Sequence, residues 1–270
     1  MRGCSCRGTS GFAHVSCLAE QAKVLVAEAE ENNLDVEPRW TPWLTCGLCE
    51  QNYHGVVYGA LGWTCWKTYV GRPEANWTRI NSMIMLGAGL SDAKHFLDAL
   101  SVQEAELSML LRVGAAEEMM LNVQTNISNT YAKIQRLESA LLIRRDVYSG
   151  RLKLTGEEHL HTLGAAYNYA VSLRQSSRYK EVKALMRKTM PVARRVLGES
   201  HELTLRMRKS YALALHEDAG TTLGDLCEAV TTLEDTDRIA RRVLGAAHPN
   251  VEDLGIRLRD ARAALRAREA

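Results

Sequence analysis

The protein has 270 residues with 34 basic and 32 acidic side chains, and its formal net charge of +2 gives no electrostatic reason to expect nucleic acid or an anionic membrane as an obligatory partner. Hydrophobic residues make up 46% of the sequence, enough for one large core or two modest ones. The N-terminus lacks the pattern of a secretory signal peptide and no stretch has the length of a membrane span, so we expect a soluble protein of the cytoplasm or nucleus.

Cysteines are concentrated at the start of the sequence, where six of the seven lie within the first 65 residues. Six potential metal ligands form three close pairs, which are Cys4 with Cys6, His14 with Cys17, and Cys46 with Cys49. Tetrahedral Zn²⁺ takes thiolate and imidazole ligands in such pairs, and a reducing compartment favours metal over disulfides. Buried cysteines more often only pack in a core, but paired spacing with a histidine predicts a zinc module over residues 1–66.

The three pairs resemble the second, third and fourth ligand pairs of a RING-CH finger, a cross-braced two-zinc domain that recruits a ubiquitin-conjugating enzyme. Gly8, Phe12 and Leu18 extend the resemblance. It implies one complete four-thiolate site and half of a second site. The complete site comprises Cys4, Cys6, Cys46 and Cys49, and the half site comprises His14 and Cys17.

The first ligand pair of such a finger has no counterpart here, because Met1 stands only three residues before Cys4. We therefore expect one tightly bound zinc. Cys65 and His54 are candidates to complete the second site, although neither stands at a ligand position of the family.

Composition changes near residue 77, because all five tryptophans precede residue 78. Gly71-Arg72-Pro73 interrupts any regular pattern, and we place a connection at 67–78. Before it, an apolar stripe predicts a helix from Leu18 to Asn32. The aromatic residues between Tyr53 and Tyr69 are expected to pack against the zinc module or the first helices beyond it.

Residues 79–270 are internally repetitive. Four glycines recur with spacings of 42, 42 and 47, and they are Gly114, Gly156, Gly198 and Gly245. Histidine follows three of them at the third position, as His159, His201 and His248. A period of this length is typical of a helical solenoid, and each unit contains two helical patterns. The glycines fit the left-handed position that ends a helix.

The repeats resemble tetratricopeptide repeats (TPR) of the kinesin-light-chain type, in which L-G-x-x-H-P separates the units. Leu197-Gly198-Glu199-Ser200-His201 and Leu244-Gly245-Ala246-Ala247-His248-Pro249 carry the resemblance. The resulting fold class is mainly α, a TPR-like solenoid preceded by the zinc module. The units span about 79–114, 115–156, 157–198 and 199–245, and a capping helix spans 249–268.

No catalytic constellation stands out, and the repeated histidines are best explained as turn residues between units. In the TPR family the first helix of each unit lines a concave groove, where an asparagine holds the backbone of an extended peptide. The resemblance places Asn126, Asn168 and Ser210 at that position, and Met85 takes it in the first unit. Side chains repeated on one helix face can equally be solvated and idle.

Two functions follow. The first is a zinc-binding, non-catalytic adaptor whose repeats bind a protein or peptide segment. The second is a RING-CH-type ubiquitin ligase whose repeats select the substrate, and a C-x2-C pair upstream of Met1 would favour it.

Overall fold

A computed structural model describes residues 14–269, which form twelve α-helices and one 3₁₀ turn. Within these residues the only β-type pairing is an isolated antiparallel bridge between Thr45 and Asn52. The chain divides into two compact units, Met1–Gln135 and Arg136–Ala270. The fold is therefore mainly α, as the sequence predicts.

The described residues of the first unit form six helices. They are α1 Val15–Glu31, α2 Glu37–Trp40, α3 Gly55–Tyr69, α4 Trp77–Asp92, α5 Phe96–Arg112 and α6 Glu117–Lys133, with the 3₁₀ turn Thr41–Trp43 directly after α2. The helix predicted from Leu18 to Asn32 is confirmed as α1.

The second unit contains the other six helices. They are α7 Leu137–Thr155, α8 Leu160–Gln175, α9 Tyr179–Leu197, α10 Glu202–Glu217, α11 Leu223–Leu244 and α12 Pro249–Glu269. The predicted C-terminal helix is confirmed as α12, which buries Leu254, Leu258 and Ala261 against the core of this unit. The helix α9 continues through Pro191.

Gly114 has a φ of 66° and the hydrogen bonds of the predicted left-handed ending, whereas the other three spacing glycines end helices in a different conformation. Gly156, Gly198 and Gly245 have φ of 78°, 90° and 85° with ψ of 176°, 163° and 153°. This combination lies outside the left-handed helical region, in a region that is populated almost only by glycine. The repeat therefore requires glycine there, because a Cβ atom would strain the backbone whatever space surrounds it.

Helices α3 and α4 pack backbone to backbone, and glycines allow it. A Cβ atom on Gly62 would lie 2.9 Å from the Met85 carbonyl oxygen, and one on Gly89 would lie 3.0 Å from the Tyr58 carbonyl oxygen. Neither backbone neighbour could move aside as a flexible side chain would. The contact crosses the segment 67–78, so α3 packs on the first repeat helix inside the first compact unit. The domain borders drawn from composition stay a prediction.

Helix α1 ends in the same way as the repeat helices α4 and α8. The second residue beyond each helix has positive φ, at 52° for Asn33, 67° for Lys94 and 57° for Ser177. Its N–H donates to a carbonyl three residues earlier, and the next N–H donates to a carbonyl five residues earlier at 2.8 Å. This pair of hydrogen bonds is the Schellman ending. Helix α1 thus ends with the same motif as these repeat helices, and residues 35–54 form an inserted segment between α1 and α3.

An aromatic cluster fills the core around this insertion. Ring centroids of Trp40 lie 6.1 Å from Trp43, 5.4 Å from Tyr69 and 5.2 Å from Trp77. Met85 of α4 belongs to the same apolar cluster and is 2% exposed. Of the aromatic segment, Tyr69 packs on Trp40 and Trp43, which lie within residues 1–66. Because this cluster covers position 85, an apolar side chain is favoured there.

One carboxylate lies inside the first unit without a cation. Glu106 of α5 is 1% exposed, and its Oε1 atom has no hydrogen-bond partner among the described residues. Burial raises the pKa of Glu106 to about 8. The protonated form therefore predominates at neutral pH, since a buried charge without a partner is costly.

We predict that the first unit loses stability as pH rises through the window from 4.5 to about 8. In that window the folded protein keeps a proton on Glu106 that the unfolded protein releases. The substitution Glu106→Gln should abolish this trend, with a gain of order 3 kcal/mol at pH 8.5 and little at pH 4.5. Tryptophan fluorescence during urea unfolding measures it, since all five tryptophans lie in this unit. Equal stabilisation at both pH values would contradict the prediction, and the exposed Glu31→Gln is the control.

Candidate functional site

A cavity of about 710 Å³ opens in the first unit between the inserted segment and the helices α4 to α6. Its wall includes Leu44, Asn52, Tyr53 and Tyr58 on one side, Ala88, Ser91, Asp92, Lys94, Phe96 and Gln103 on another, and Asn126, Asn129, Thr130 and Lys133 on α6. Of the peptide-binding residues predicted from the repeats, Asn126 lines it. The volume of the cavity exceeds that of a single side chain. Polar groups dominate its α6 wall.

The α6 wall is one face of the helix, because its four residues are spaced i, i+3, i+4 and i+7. Thr130 at its centre is buried and donates its hydroxyl to the Gln103 side chain at 2.8 Å, which joins α6 to α5. Asn126 is half-buried, and its side-chain amide makes no hydrogen bond within residues 14–269. An amide without an internal partner is able to donate to and accept from a ligand backbone.

The opposite wall is a tight hairpin. Tyr53 N–H donates to the Leu44 carbonyl at 2.9 Å and Cys46 N–H donates to the Gln51 carbonyl at 2.9 Å. Between them, Glu50 N–H donates to the Cys46 carbonyl at 2.8 Å, and Glu50 has a positive φ of 55°. Backbone hydrogen bonds thus fix the turn that carries Cys46 and Cys49.

The predicted zinc ligands fall into two described pairs and one undescribed pair. Cys4 and Cys6 lie outside the described residues. His14 Nδ1 is 4.0 Å from Cys17 Sγ at the start of α1, and the apolar cluster that contains Cys46 also contacts Cys49 and the first turn of α1. Within residues 14–269, no three histidine, cysteine or acidic side chains come together as a metal site would require.

Cys65, one candidate to complete the second site, lies in the apolar core. Its side chain is 0% exposed within α3, and burial raises the pKa of its thiol. Zinc binds the thiolate, which this environment disfavours. Cys65 therefore packs as a small hydrophobic residue. The other candidate, His54, precedes α3 and makes no capping hydrogen bond there.

The two remaining positions of the predicted peptide site lie in the second unit. Asn168 of α8 is half-buried, and its backbone carbonyl accepts from Arg144 at 3.4 Å. Ser210 of α10 is 4% exposed, and its hydroxyl has no hydrogen-bond partner among the described residues. A ligand has access to Asn168 but not, in this conformation, to Ser210.

The three repeated histidines cap helices. Nδ1 of His159, His201 and His248 accepts from the N–H two residues later, each at 3.2 Å. The interpretation as turn residues between units is confirmed, and the chemistry is that of an N-cap, in which a side chain satisfies a free N–H of the first turn. The geometry requires an unprotonated Nδ1, so the proton of the neutral ring is on Nε2.

Sequence reasoning missed most of the cavity. Tyr53, Lys94 and Lys133 line it, yet none of them recurs at the 42-residue period that located Asn126. Lys94 occupies the αL position of the turn after α4, where its identity is not dictated by the repeat. Only the folding back of the hairpin brings these residues together, and no spacing in the sequence encodes that contact.

Comparison with known proteins identifies the repeats. The segment 162–202, which covers α8, α9 and the start of α10, matches a family model described as a tetratricopeptide repeat. The protein has a TPR-like fold. No curated protein matches the sequence. No helix within residues 14–269 combines the length and apolar character needed to cross a membrane.

Solved structures show the same fold over most of the sequence. BtubC (BKLC) from P. vanneervenii is 11% identical with a TM-score of 0.61, and the match covers 94% of this chain and 84% of that one. A putative kinesin light chain of Podosopora anserina with nearly identical TPR-like repeats is 16% identical with a TM-score of 0.55, over 86% of this chain and 98% of that one. A variant of the same Podosopora anserina protein gives a TM-score of 0.57 at the same identity and coverage. The TPR-like repeats resemble the kinesin-light-chain type, as predicted.

We predict that His201→Ala weakens the start of α10 by about 1 kcal/mol, because the Leu203 N–H loses its acceptor. His201→Asn should keep most of that stability, since the amide oxygen can accept the same hydrogen bond. Hydrogen exchange of residues 202–206 in the full-length protein measures the difference. Equal exchange in the two variants would show that the imidazole does not act as the cap.

Proposed function

We propose that the TPR-like repeats form a protein-interaction scaffold that binds peptide segments along the first helices of its repeats. The observation that carries the proposal is the pair of half-buried amides at Asn126 and Asn168, 42 residues apart at the same repeat position. Neither makes a side-chain hydrogen bond within the described part of the chain.

Energetic considerations support a binding role for these amides. A half-buried polar group that makes no internal hydrogen bond gives up solvation without compensation from the fold. Other polar side chains of the same helices are used internally: Thr130 of α6 donates a hydrogen bond to a neighbouring helix, and Ser172 of α8 accepts one. The two asparagine amides therefore have no hydrogen-bonding role within residues 14–269, whereas an extended backbone would satisfy both donor and acceptor of each amide.

We predict that replacing Asn126 and Asn168 with alanine weakens peptide binding by about 1–3 kcal/mol, because ligand backbone groups lose their partners. Peptides are first selected from a random display library on the full-length protein. Their affinity is then measured by fluorescence polarisation with a synthetic labelled copy.

The control is Asn81→Ala, since Asn81 of α4 lies outside the cavity wall and bonds the Trp77 carbonyl of its own helix. Failure to select any peptide would reject the scaffold. Normal binding by the double variant together with a lower melting temperature would make the asparagines structural.

A second proposal concerns zinc. The two described pairs of predicted ligands have part of the geometry that tetrahedral zinc requires. Two ligands of one tetrahedral zinc lie roughly 3.5 Å apart, given metal–ligand bonds of about 2.0 and 2.3 Å. The 4.0 Å between His14 Nδ1 and Cys17 Sγ is close to that separation. The backbone bonds of the 44–53 hairpin hold Cys46 and Cys49 on one short turn. Cys4 and Cys6 would supply the other thiolates of the main site.

We predict about one equivalent of tightly bound zinc in the purified protein, lost in Cys46→Ser and largely kept in His14→Ala. Metal analysis by mass spectrometry after gel filtration measures it. Cys227→Ser, a change at an exposed cysteine of α11, is the matched control. Retention of the metal by Cys46→Ser, or a full second equivalent lost only in His14→Ala, would contradict the assignment of ligands.

The ubiquitin-ligase alternative stays a prediction, because nothing in residues 14–269 adds support to it. The scaffold is therefore the function that the geometry supports best.

A further inference from the structure

A second cavity of the first unit, the acidic cavity, opens between the end of α1, the segment that leads into α2 and the start of α4. Its volume of about 420 Å³ lies within the usual range of small-molecule sites. Its wall combines three apolar with three acidic side chains, Leu34, Val36 and Trp77 with Glu30, Asp35 and Glu37. No lysine, arginine or histidine is among the described residues that line it.

Trp77 supplies the aromatic surface of the acidic cavity. It is 39% exposed although it packs on Trp40, with ring centroids 5.2 Å apart and an interplanar angle of 81°. This edge-to-face contact holds the indole in place and leaves part of it open to the cavity. The face of an indole ring attracts cations. The adjoining core already uses this attraction, because the Arg72 guanidinium lies 4.8 Å from the centroid of the Tyr69 ring.

Two of the three carboxylates have no cationic partner. Glu30 is already occupied, because it accepts two hydrogen bonds from Arg72, which lower the pKa of its carboxyl group. Asp35 accepts the Glu37 N–H at 3.0 Å. Asp35 and Glu37 are exposed, and neither forms an ion pair within residues 14–269. Two unpaired carboxylates beside an exposed indole favour a cationic ligand.

The base of the cavity is fixed before any ligand arrives. Asn76 caps α4, since its side-chain oxygen accepts from the Thr78 N–H at 3.1 Å and from the Thr78 hydroxyl at 2.6 Å. Arg72 donates to the same hydroxyl oxygen at 2.9 Å and so ties Glu30 into the network. The backbone that carries Trp77 is therefore held on both sides, which reduces the entropy lost on binding.

The spacing of the acidic groups selects the kind of cation. Within the described part of the chain, no three acidic, histidine or cysteine side chains come together as a metal ion would require. A primary ammonium group has three N–H donors and is held best by several convergent acceptors. A quaternary ammonium group donates no hydrogen bond, and its methyl groups contact apolar and aromatic side chains. The wall suits the quaternary group.

We infer that the acidic cavity binds a trimethylammonium group, with its methyl groups against Trp77, Leu34 and Val36 and its charge beside Asp35 and Glu37. The group belongs either to a free small molecule such as choline or to a trimethylated lysine side chain, because both present the same cation. The inference does not rest on the scaffold proposal, since every wall residue precedes residue 79.

The test compares choline with its neutral carbon analogue, in which a tert-butyl group replaces the trimethylammonium group. Each is titrated against the full-length protein, and saturation-transfer NMR follows its methyl protons. Choline should bind at least about tenfold more tightly, because the two molecules share shape and methyl surface and differ in charge. A trimethyl-lysine residue blocked at both ends forms a third arm. Tighter binding than choline identifies a side-chain ligand, and weaker binding identifies a small molecule.

Two variants locate the site. The double variant Asp35→Asn/Glu37→Gln should lower the affinity for choline to that for the neutral analogue, and Trp77→Leu should weaken choline at least about fivefold. The double variant changes only exposed side chains, so it decides the question even where loss of Trp77 disturbs the core. The matched controls are Trp63→Leu, at an exposed tryptophan of α3, and Glu117→Gln, at an exposed glutamate of α6, which both lie outside the wall.

The inference is overturned if choline and its neutral analogue bind equally well or if neither binds. It is also overturned if choline binds through its charge but the double acidic variant binds it as tightly as the unsubstituted protein does. Each of these results would leave the peptide scaffold untouched, because that proposal depends on Asn126 and Asn168.

Discussion

The close contact between α3 and α4 is the constraint on which the first unit depends. Glycine stands at the crossing on both helices, and a Cβ atom at Gly62 or Gly89 would meet backbone atoms at 2.9 or 3.0 Å. Overpacking of this kind costs typically about 1–3 kcal/mol, and rigid backbone cannot relax as a side chain does. The contact makes α3 the outer neighbour of the first repeat helix, so that residues from α1 onward continue the helical packing of the repeats.

This arrangement bears on the structural role of the cysteine-rich segment. Helix α1 has the Schellman ending of the repeat helices α4 and α8, α3 packs on α4, and the segment 35–54 is inserted between α1 and α3. An insertion at that place folds back over α4 to α6 and forms one wall of the cavity. A metal bound at Cys46 and Cys49 would then stabilise one wall of this cavity.

Periodic features of the fold could be predicted from the sequence. Gly156, Gly198 and Gly245 each end a helix, and His159, His201 and His248 each begin the next one, because both residues satisfy local backbone requirements that repeat with every unit. Even here the glycine conformation differed from the predicted αL, since the sequence shows that positive φ is needed but not which ψ accompanies it.

Features that depend on contacts far apart in sequence could not be predicted. The α3–α4 crossing joins Gly62 to Met85 and Tyr58 to Gly89, which are 23 and 31 residues apart, through glycines that look like ordinary helix interruptions in the sequence. Composition suggested a border at 67–78, because all five tryptophans and six of the seven cysteines precede residue 78, and Trp40 packs on Trp77 within that segment. The cavity lysines stand at positions where the repeat sets no requirement. Asn126 was found only because its position is periodic.

The most direct test of this account is hydrogen exchange of the full-length protein in Gly62→Ala, compared with Gly71→Ala, where an added Cβ atom meets nothing within 4 Å. If α3 and the first repeat fold as one body, Gly62→Ala should speed exchange in α3 and in α4 together, by the same free energy of opening, whereas Gly71→Ala should leave both unchanged. Faster exchange confined to α3, with α4 as protected as in the unsubstituted protein, would show that the N-terminal residues are a separate module and would contradict the account.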